Sequence, residues 1–532
     1  MPYCKTLTAL LYDKTAKKTI NWGYTALKEA TTGDHPNQKV LLTKFKFLLE
    51  PTAAEYMEDP IPDDVEPLDI IAEYLKEMHT LIMTKLQEKF GSTLQNEDVH
   101  YAVTVPAIWS EQAKTNLRKA AAMAGLISPA EVVSPRLVLV LEPEAAAMYC
   151  CKKVPEAQLR SNENIMIVDA GGGTVDIAVE KLIIGAERTR LSEVTRGTGD
   201  LCGSTFVDRR FLDWLSSKVG ADALTEIKID NPTAYQQVLR GWETLKRQFK
   251  GAESFNSRDH MTFSIPGALY NLMADEEMEK LEEEQDGTAD DLFITLKDMQ
   301  SFFDPVVEQV LRLIEEQLDH CPGKRCNKLF LVGGFSASPY LRKAMSDKFS
   351  ESFDNVVFPT DPGAAIVQGA VLYGLNPDSI QARRSRYSYG MKLCASEAEY
   401  SRKSRKTSNR SDIFINQETN ESMVTMFSPV MVANQLVEID DFYSTKCFPL
   451  YSYQLGVNIE ISATAATVDR ETSYSDVRGN FVLGTQMIEG IPRNGDRSVT
   501  VYFYFGLTEL TVIAKVNATG AEKRQIVNFT AR

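Results

Sequence analysis

The chain has 532 residues, of which 43% are hydrophobic, and it carries a formal net charge of −15. This length predicts more than one domain and supplies ample material for large cores. The negative charge argues against nucleic acid as a partner, and no stretch is long and apolar enough to insert into a membrane.

The eight cysteines are scattered without a CxxC pair, and the five histidines do not cluster with them. Neither a zinc site nor a disulfide framework is expected from this pattern. We therefore expect a reduced, cytoplasmic protein.

Two lysines and a glutamate early in the chain are candidates for a functional site. Lys44 and Lys46 interrupt the apolar run at 40–50, where a lysine is either exposed or reaches a phosphate. Glu142 follows the apolar strand predicted at 137–141 and begins a small-residue helix, which is the usual place of active residues in α/β folds. A solvated loop end remains the alternative for a lone glutamate.

The stretch 164–179, NIMIVDAGGGTVDIAV, predicts two strands joined by a glycine turn. Asp169 and Asp176 lie at the ends of buried apolar runs, where an unpaired charge is costly. Three consecutive glycines let backbone amides approach an anion. A phosphate with a metal ion would satisfy both features, and an ordinary hairpin is the alternative.

A second glycine turn and a charged helix follow. The segment 196–211 contains Gly203 and enters a helix. On a later helix Glu243, Lys246 and Arg247 fall at i, i+3 and i+4, so they share a face. Spacing alone favours a surface ion pair for these three.

A diglycine follows the buried strand predicted at 328–332, and a helix is predicted from Ser338. Strand, diglycine (Gly333 and Gly334) and helix N-terminus together present backbone amides to an anion. With the triglycine turn and the carboxylates between them, they suggest a nucleotide held between two lobes, although no GxxxxGK[ST] or strand–GxGxxG–helix is present.

Two Asp-Pro dipeptides predict helix starts, because proline fits the first helical position. Asp304-Pro305 precedes an apolar stripe at helical spacing, and Asp361-Pro362 precedes a run of small residues. Further on, residues 378–412 are rich in arginine and lysine, which predicts a linker and a flexible loop.

Four ordered motifs resemble the seventy-kilodalton heat-shock chaperones (DnaK-type) of the actin and sugar-kinase superfamily, in particular their divergent branch called heat shock 70 kDa protein 12. IMIVDAGGGTVDIAV is similar to the family's second phosphate motif, and KLFLVGGFSASPYLRKAM to its adenosine motif. VTVPAIWSEQAKTNLRKAAAMAGL resembles the segment before the catalytic glutamate, and LEPEAAA resembles that glutamate's motif. The C-terminal strands resemble, more weakly, the peptide-binding β domain.

The resemblance implies an α/β fold of the actin-like, sugar-kinase-like two-lobed ATPase type, followed by an antiparallel β domain. It implies an N-terminally incomplete nucleotide-binding domain at 1–378, a basic linker or flexible loop at 379–412 that includes the first strand of the next domain, and a β-rich domain at 413–532. The implied function is ATP binding and slow hydrolysis coupled to binding of client proteins or peptides. ATP/ADP and magnesium are the implied cofactors, and co-chaperones are further implied partners.

The resemblance also implies residue roles. Asp169 would position magnesium through water, and Lys44 would neutralise the transferred phosphoryl group. Asp176 and Glu142 would orient the attacking water. The residues implied to contact the nucleotide are Gly171, Gly172, Gly173, Thr174, Gly203, Glu243, Lys246, Arg247, Gly333, Gly334, Ser336 and Asp361.

Two departures from the family pattern bear on activity. The chain begins after the family's first phosphate motif, an Asp-x-Gly-Thr-Thr hairpin, and a basic stretch at 378–386 replaces an apolar, acidic linker. Hydrolysis is therefore expected to be slow or impaired, and a catalytically impaired adaptor or scaffold is the alternative function. A small-molecule kinase is a third alternative, which the following β domain argues against.

Overall fold

The computed structural model describes residues 5–32, 38–57, 61–129, 134–185, 188–255, 259–285, 287, 289–439, 441–505 and 508–526. Within these residues the chain forms helices and sheets in three successive regions, which confirms the mixed α/β class. No helix in this described part of the chain is long and apolar enough to cross a membrane.

The first region contains a small antiparallel sheet and a parallel strand pair. Its elements are β1 (Ala9–Asp13), β2 (Lys18–Trp22), α1 (Gly23–Thr32), β3 (Lys39–Thr43), α2 (Pro67–Phe90), β4 (Tyr101–Val105), α3 (Glu111–Met123), β5 (Leu137–Leu141) and α4 (Glu142–Lys153). The sheet has the order β2–β1–β3, and β4 pairs in parallel with β5. Because α4 continues directly from β5, Glu142 is fixed where a buried strand becomes a helix.

The second region is built on a central sheet that is covered on both faces. Its elements are β6 (Asn164–Ala170), β7 (Val175–Ile184), β8 (Thr189–Asp200), α5 (Ser204–Val219), α6 (Ala221–Asp230), α7 (Pro232–Gln248), β9 (His260–Ser264), α8 (Gly267–Tyr270), α9 (Asp275–Glu284), β10 (Asp291–Thr295), α10 (Leu296–His320), β11 (Lys328–Val332), α11 (Pro339–Phe349), β12 (Asn355–Val357), α12 (Ala365–Leu375) and β13 (Ile380–Arg384). Along β6, Met166 and Val168 join one core, whereas Ile165 and Ile167 join another. Burial of both faces explains the continuous apolar run in this strand.

The third region consists of two antiparallel sheets and one short helix. Its elements are β14 (Ser388–Ser396), α13 (Glu397–Ser404), β15 (Ile413–Ile415), β16 (Ser422–Met431), β17 (Leu436–Glu438), β18 (Phe442–Cys447), β19 (Gly456–Thr464), β20 (Thr472–Ser473), β21 (Phe481–Glu489), β22 (Val499–Tyr504), β23 (Thr511–Val516) and β24 (Glu522–Ile526). One sheet has the order β15–β16–β14–β19–β21 and the other β18–β22–β23–β24. The two sheets share one apolar core.

The central sheet also joins the second and third regions. Its order is β12–β11–β6–β7–β8–β13–β17, so a strand of the third region forms one edge. β13 pairs in parallel with β8 and antiparallel with β17. The segment predicted as a linker and flexible loop is thus mostly ordered, with a strand at 380–384, a strand at 388–396 and a helix at 397–404.

Both predicted helix starts at Asp-Pro dipeptides are wrong in position. α10 begins at Leu296, where Thr295 and Asp298 form a reciprocal capping box, and Pro305 lies inside the helix. Asp304 instead accepts a hydrogen bond from the hydroxyl of Tyr340 at 2.5 Å. α12 begins at Ala365 rather than at Asp361.

Candidate functional site

The triglycine turn joins β6 to β7 and places two buried carboxylates opposite each other. Asp169 and Asp176 are direct cross-strand partners, with 5% and 0% of their surface exposed. The N–H of Gly171 donates to the carbonyl of Thr174 at 2.9 Å and closes the turn. The sequence therefore folds locally as predicted, as strand, glycine turn and strand.

The carbonyl oxygens of the turn are bound by the start of α5. The amides of Gly203, Ser204 and Thr205 donate to the three glycine carbonyls at 2.9–3.2 Å. A side chain at Gly203 would collide with the carbonyl of Gly172. In the described part of the chain, the amides of Gly172 and Gly173 have no backbone partner, so they can receive an anion.

One lysine reaches the carboxylates from the first region. Lys46 Nζ donates to Glu142 Oε1 at 2.6 Å, and Glu142 is only 10% exposed in its side chain. Partial desolvation disfavours the charged amine, yet the charges of Glu142, Asp176 and Asp169 together raise the pKa of Lys46, whose side chain is 49% exposed. The structure thus pairs Lys46 with Glu142. Lys44 adopts a left-handed backbone (φ 54) before the short helix at 45–49, and its predicted role at the phosphoryl group stays a prediction.

The cluster carries more negative than positive charge. Burial and the charge of Glu142 raise the pKa of Asp176 to about 7, although hydrogen bonds from Thr174 and the Ile108 amide oppose the shift. Burial, Glu142 and Asp176 raise the pKa of Asp169 as well. Among the described residues, the second carboxylate oxygen of Asp176 is buried without a hydrogen-bond partner. A cation and a bound water would relieve this excess charge and satisfy that oxygen.

The donor set fits a metal ion held mainly through water and phosphate oxygens. Within the described residues, no three His, Cys, Asp or Glu side chains converge closely enough to hold an ion by themselves. Magnesium typically binds through one or two carboxylates, several waters and phosphates. Asp169 is therefore compatible with the predicted water-mediated contact.

The diglycine after β11 packs against the same end of β6. Gly333 has a left-handed backbone (φ 86), and a side chain there would collide with the Ala170 carbonyl and the Asp169 carboxylate. Its amide donates to the Pro362 carbonyl at 3.1 Å, which brings the 361–364 turn beside the diglycine. A Cβ at Gly334 would meet nothing within 4 Å, so this position borders open space.

Two other predicted nucleotide contacts have internal partners. Ser336 is buried, and its hydroxyl donates to the Gly333 carbonyl at 2.6 Å. Asp361 precedes Pro362, and its carbonyl accepts from the Ala364 amide at 3.3 Å. Both residues shape the loop that carries the diglycine.

The three charged residues of α7 form an ion-pair network with α5. Lys246 Nζ lies 2.7 Å from both Asp208 and Glu243, and Arg247 donates to Glu243 at 2.6 Å. The surface ion pair predicted from spacing is present, with Asp208 as an additional member. Asp208 also accepts a hydrogen bond from the indole of Trp242.

An aromatic ring lies against the triglycine turn, which sequence reasoning missed. A Cβ at Gly173 would approach the Phe47 ring to 2.5 Å, so glycine is required there for packing as well as for anion approach. Phe47 is followed by Tyr56 and then Phe206 of α5, with ring centroids 6.2 Å and 5.4 Å apart. These rings connect the first region to α5 beside the turn.

Comparisons with known proteins find one family model and several relatives. A family model described as "Domain of unknown function (DUF8340)" matches residues 158–358. The chain is 27% identical to heat shock 70 kDa protein 12A of Mus musculus, over 66% of this chain and 60% of that protein. It is 25% identical to human heat shock 70 kDa protein 12B, over 61% and 55%. It is 24% identical to the chaperone protein dnaK3 of Synechococcus elongatus, over 66% and 43%.

These matches confirm the resemblance read from the motifs: the chain is a divergent relative of the seventy-kilodalton heat-shock proteins. It spans 55–66% of the length of the 12A and 12B relatives.

Proposed function

We propose that the chain is an ATP-binding, chaperone-like protein that couples ATP binding and slow hydrolysis to peptide binding. Residues 1–378 would form an actin-like, two-lobed ATPase, and residues 413–532, with the first strand supplied by 379–412, would form a peptide-binding β domain. The observation that carries this proposal is the cluster of Glu142, Lys46, Asp169 and Asp176 beside free turn amides. Phosphoryl transfer needs these parts more than a strong base.

Each residue of the cluster and each glycine turn would have a separate role in binding and hydrolysing ATP. The amides of Gly172 and Gly173 would hold phosphate oxygens, with the second glycine loop beneath the nucleotide. Lys46 would neutralise charge on the transferred phosphoryl group, and Asp176 with Glu142 would orient the attacking water. Magnesium, when bound near Asp169, would supply further positive charge to the phosphates.

Substitution of Lys46, with the neighbouring Lys44 as a control, tests this proposal. We expect calorimetry to detect ATP binding in the presence of magnesium, and Lys46→Met to lower turnover by about 100-fold because it removes one positioned charge. Lys44→Met is the control and should leave turnover near the wild-type value. Absence of magnesium-dependent ATP binding would contradict the proposed function, and equal losses in both variants would contradict the role of Lys46.

A catalytically impaired adaptor of the same fold is the second candidate. The Phe47 ring against Gly173 favours it, because this ring takes up space on one side of the turn. ATP binding without turnover by the wild-type chain would select the adaptor over the ATPase.

Exposed apolar side chains on the loop between β18 and β19 support the proposed peptide binding. Phe448, Tyr453 and Leu455 are 65%, 71% and 44% exposed. Their loop is held to the loop after β15 by hydrogen bonds from Ser452 to Glu418 and from Asn416 to the Leu450 carbonyl. Several large exposed apolar side chains close together on one loop are typical of a binding surface.

Substitution of these aromatics should weaken peptide binding. We expect Phe448→Ser with Tyr453→Ser to reduce the affinity for a fluorescent, apolar heptapeptide by about tenfold or more, because aromatic anchors dominate such contacts. Phe442→Ser, which removes an exposed aromatic from β18 instead, is the control. Equal peptide affinity of the double variant and the wild type in fluorescence anisotropy would refute this surface.

A further inference from the structure

Arg386 lies between β13 and β14, at the junction of the central sheet and the third region. Its guanidinium donates to the carbonyl of Trp109 at 2.7 Å and to the carbonyl of Ala107. The carbonyl of Arg386 in turn accepts a hydrogen bond from Arg196 at 3.0 Å. The side chain therefore clamps the 106–109 turn that follows β4, and its own backbone is held from β8.

The 106–109 turn contacts two members of the cluster of Glu142, Lys46, Asp169 and Asp176, namely Asp176 and Lys46. The Ile108 amide donates to Asp176 Oδ1 at 3.2 Å. Lys46 Nζ lies 5.1 Å from the centroid of the Trp109 ring, within the range of a cation–π contact. A displacement of this turn would therefore move the hydrogen-bond donor of Asp176 and the ring that supports Lys46 at the same time.

On the side of Asp176 the turn is held by packing, and Trp109 is buried in a hydrophobic core. The Ile108 side chain packs where Gly199 lacks a Cβ, at 2.8 Å from the position a Cβ would take. The Trp109 indole nitrogen is buried and has no hydrogen-bond partner in the described part of the chain. The two carbonyl contacts from a planar guanidinium are thus the polar contacts that tie this turn to the junction.

We propose that Arg386 is a positioning residue for the ATP site, which it orders through the 106–109 turn. This inference rests on the proposed ATPase function. It assigns a functional role to the basic 378–386 stretch, since the junction would set the geometry of Asp176 and Lys46 without contacting the nucleotide. A guanidinium that only joined two regions would contribute to stability and leave the chemistry unchanged.

Arg384 provides a matched control two residues earlier. Its side chain also donates to two carbonyls, those of Val194 at 2.6 Å and Asn434 at 2.8 Å, neither of which belongs to the 106–109 turn. Arg384→Gln and Arg386→Gln each remove two such contacts from the same junction. A purely structural role predicts the same outcome for both variants.

The experiment compares both variants in the full chain by hydrogen exchange and by steady-state ATP hydrolysis. Arg386→Gln should speed amide exchange in the peptide covering 106–110 and lower kcat by about 10- to 100-fold with KM unchanged, because small displacements of reacting groups are costly. Arg386→Lys, which can keep one carbonyl contact, should recover part of kcat. Arg384→Gln should change neither exchange at 106–110 nor kcat.

Unchanged exchange at 106–110 in Arg386→Gln would overturn the inference, and so would faster exchange with unchanged kcat. Equal effects of both glutamine variants would also overturn it, as a general loosening of the junction. If the wild-type chain shows no turnover, the ATPase proposal fails, and the exchange data alone decide whether Arg386 orders the turn.

Discussion

Asp176→Asn is expected to stabilise the nucleotide-free protein at pH 8 while it abolishes ATP turnover. In the folded chain the pKa of Asp176 is raised to about 7, by burial and by the charge of Glu142. In the unfolded chain the carboxyl group of Asp176 has a pKa of about 4. The folded state therefore binds more protons between about pH 4 and pH 7, and wild-type stability falls as pH rises through this window.

Asparagine does not ionise, so the variant avoids this fall in stability, but its amide group is costly to bury. A difference of about three pKa units corresponds to on the order of 4 kcal/mol. The new amide group would bury donors where the second oxygen of Asp176 has no partner, at about 1–3 kcal/mol. We expect a net gain on the order of 2 kcal/mol at pH 8. We also expect a loss of turnover of about 100-fold or more, since the group proposed to orient the attacking water is gone.

Urea unfolding at pH 5 and pH 8, with a chelator and without nucleotide, measures this difference. Asp319→Asn is a suitable control, because Asp319 is exposed and its hydrogen bond with Lys324 lowers its pKa. The control should not gain stability at pH 8. A variant at position 176 that follows the wild-type pH dependence would show that Asp176 is not held in a buried, charged cluster.

Long periodic elements could be predicted from the sequence because one face of each is apolar. In residues 68–90 the apolar side chains recur at helical spacing, and this segment forms α2, which is followed by Gly91 with a positive φ of 106. The start of α10 could not be placed, because Asp304-Pro305 imitates a cap and the reciprocal bonds of Thr295 and Asp298 decide the true start. Local patterns identify an element more reliably than its end.

The ordered junction could not be predicted, because its arginines are satisfied by residues distant in sequence. Arg383 is buried and makes two hydrogen bonds to Glu144, at 2.6 Å and 2.9 Å, across 239 positions. A run of basic residues in a sequence looks solvated, since buried charges are rare unless they are paired. Pairing of this kind is a tertiary property.

The choice between two lysines was likewise beyond the sequence. Lys44 and Lys46 interrupt the same apolar run, and either could point to a phosphate. The left-handed backbone at Lys44 and the short helix after it turn Lys46 toward Glu142. The motif-bearing turns were predictable because their chemistry is local, whereas the pairing of Lys46 with Glu142 joins residues 96 positions apart.

Arg118→Met is expected to be among the most destabilising single substitutions, at about 3–5 kcal/mol. Arg118 of α3 makes two contacts with the Glu509 carboxylate, at 3.0 Å and 2.5 Å, and their side chains are only 6% and 11% exposed. Removal of the guanidinium leaves a carboxylate buried without its partner charge. Arg118 also donates to the Leu137 carbonyl of β5, so a strand contact is lost as well.

The same contact joins the first and third regions, which makes the prediction informative about their docking. Thr508, beside Glu509, accepts from Lys114 at 2.9 Å through its carbonyl and donates to the Leu139 carbonyl at 2.7 Å. We expect Arg118→Met to unfold at lower urea concentration and to expose the junction at 384–388 to proteases. Arg118→Met with Glu509→Leu should recover most of the stability, because no unpaired charge then remains buried.

Lys343→Met is the matched control for an ion pair outside the interface. Lys343 and Asp347 lie 3.1 Å apart on α11, with side chains 53% and 63% exposed. Loss of this exposed ion pair should change the free energy of unfolding by less than about 0.5 kcal/mol. If Arg118→Met proved as mild as this control, the regions would not be docked through Glu509 in solution. A large loss that the double variant recovers would instead identify the buried pair as the contact that holds the β-rich region against the candidate ATPase.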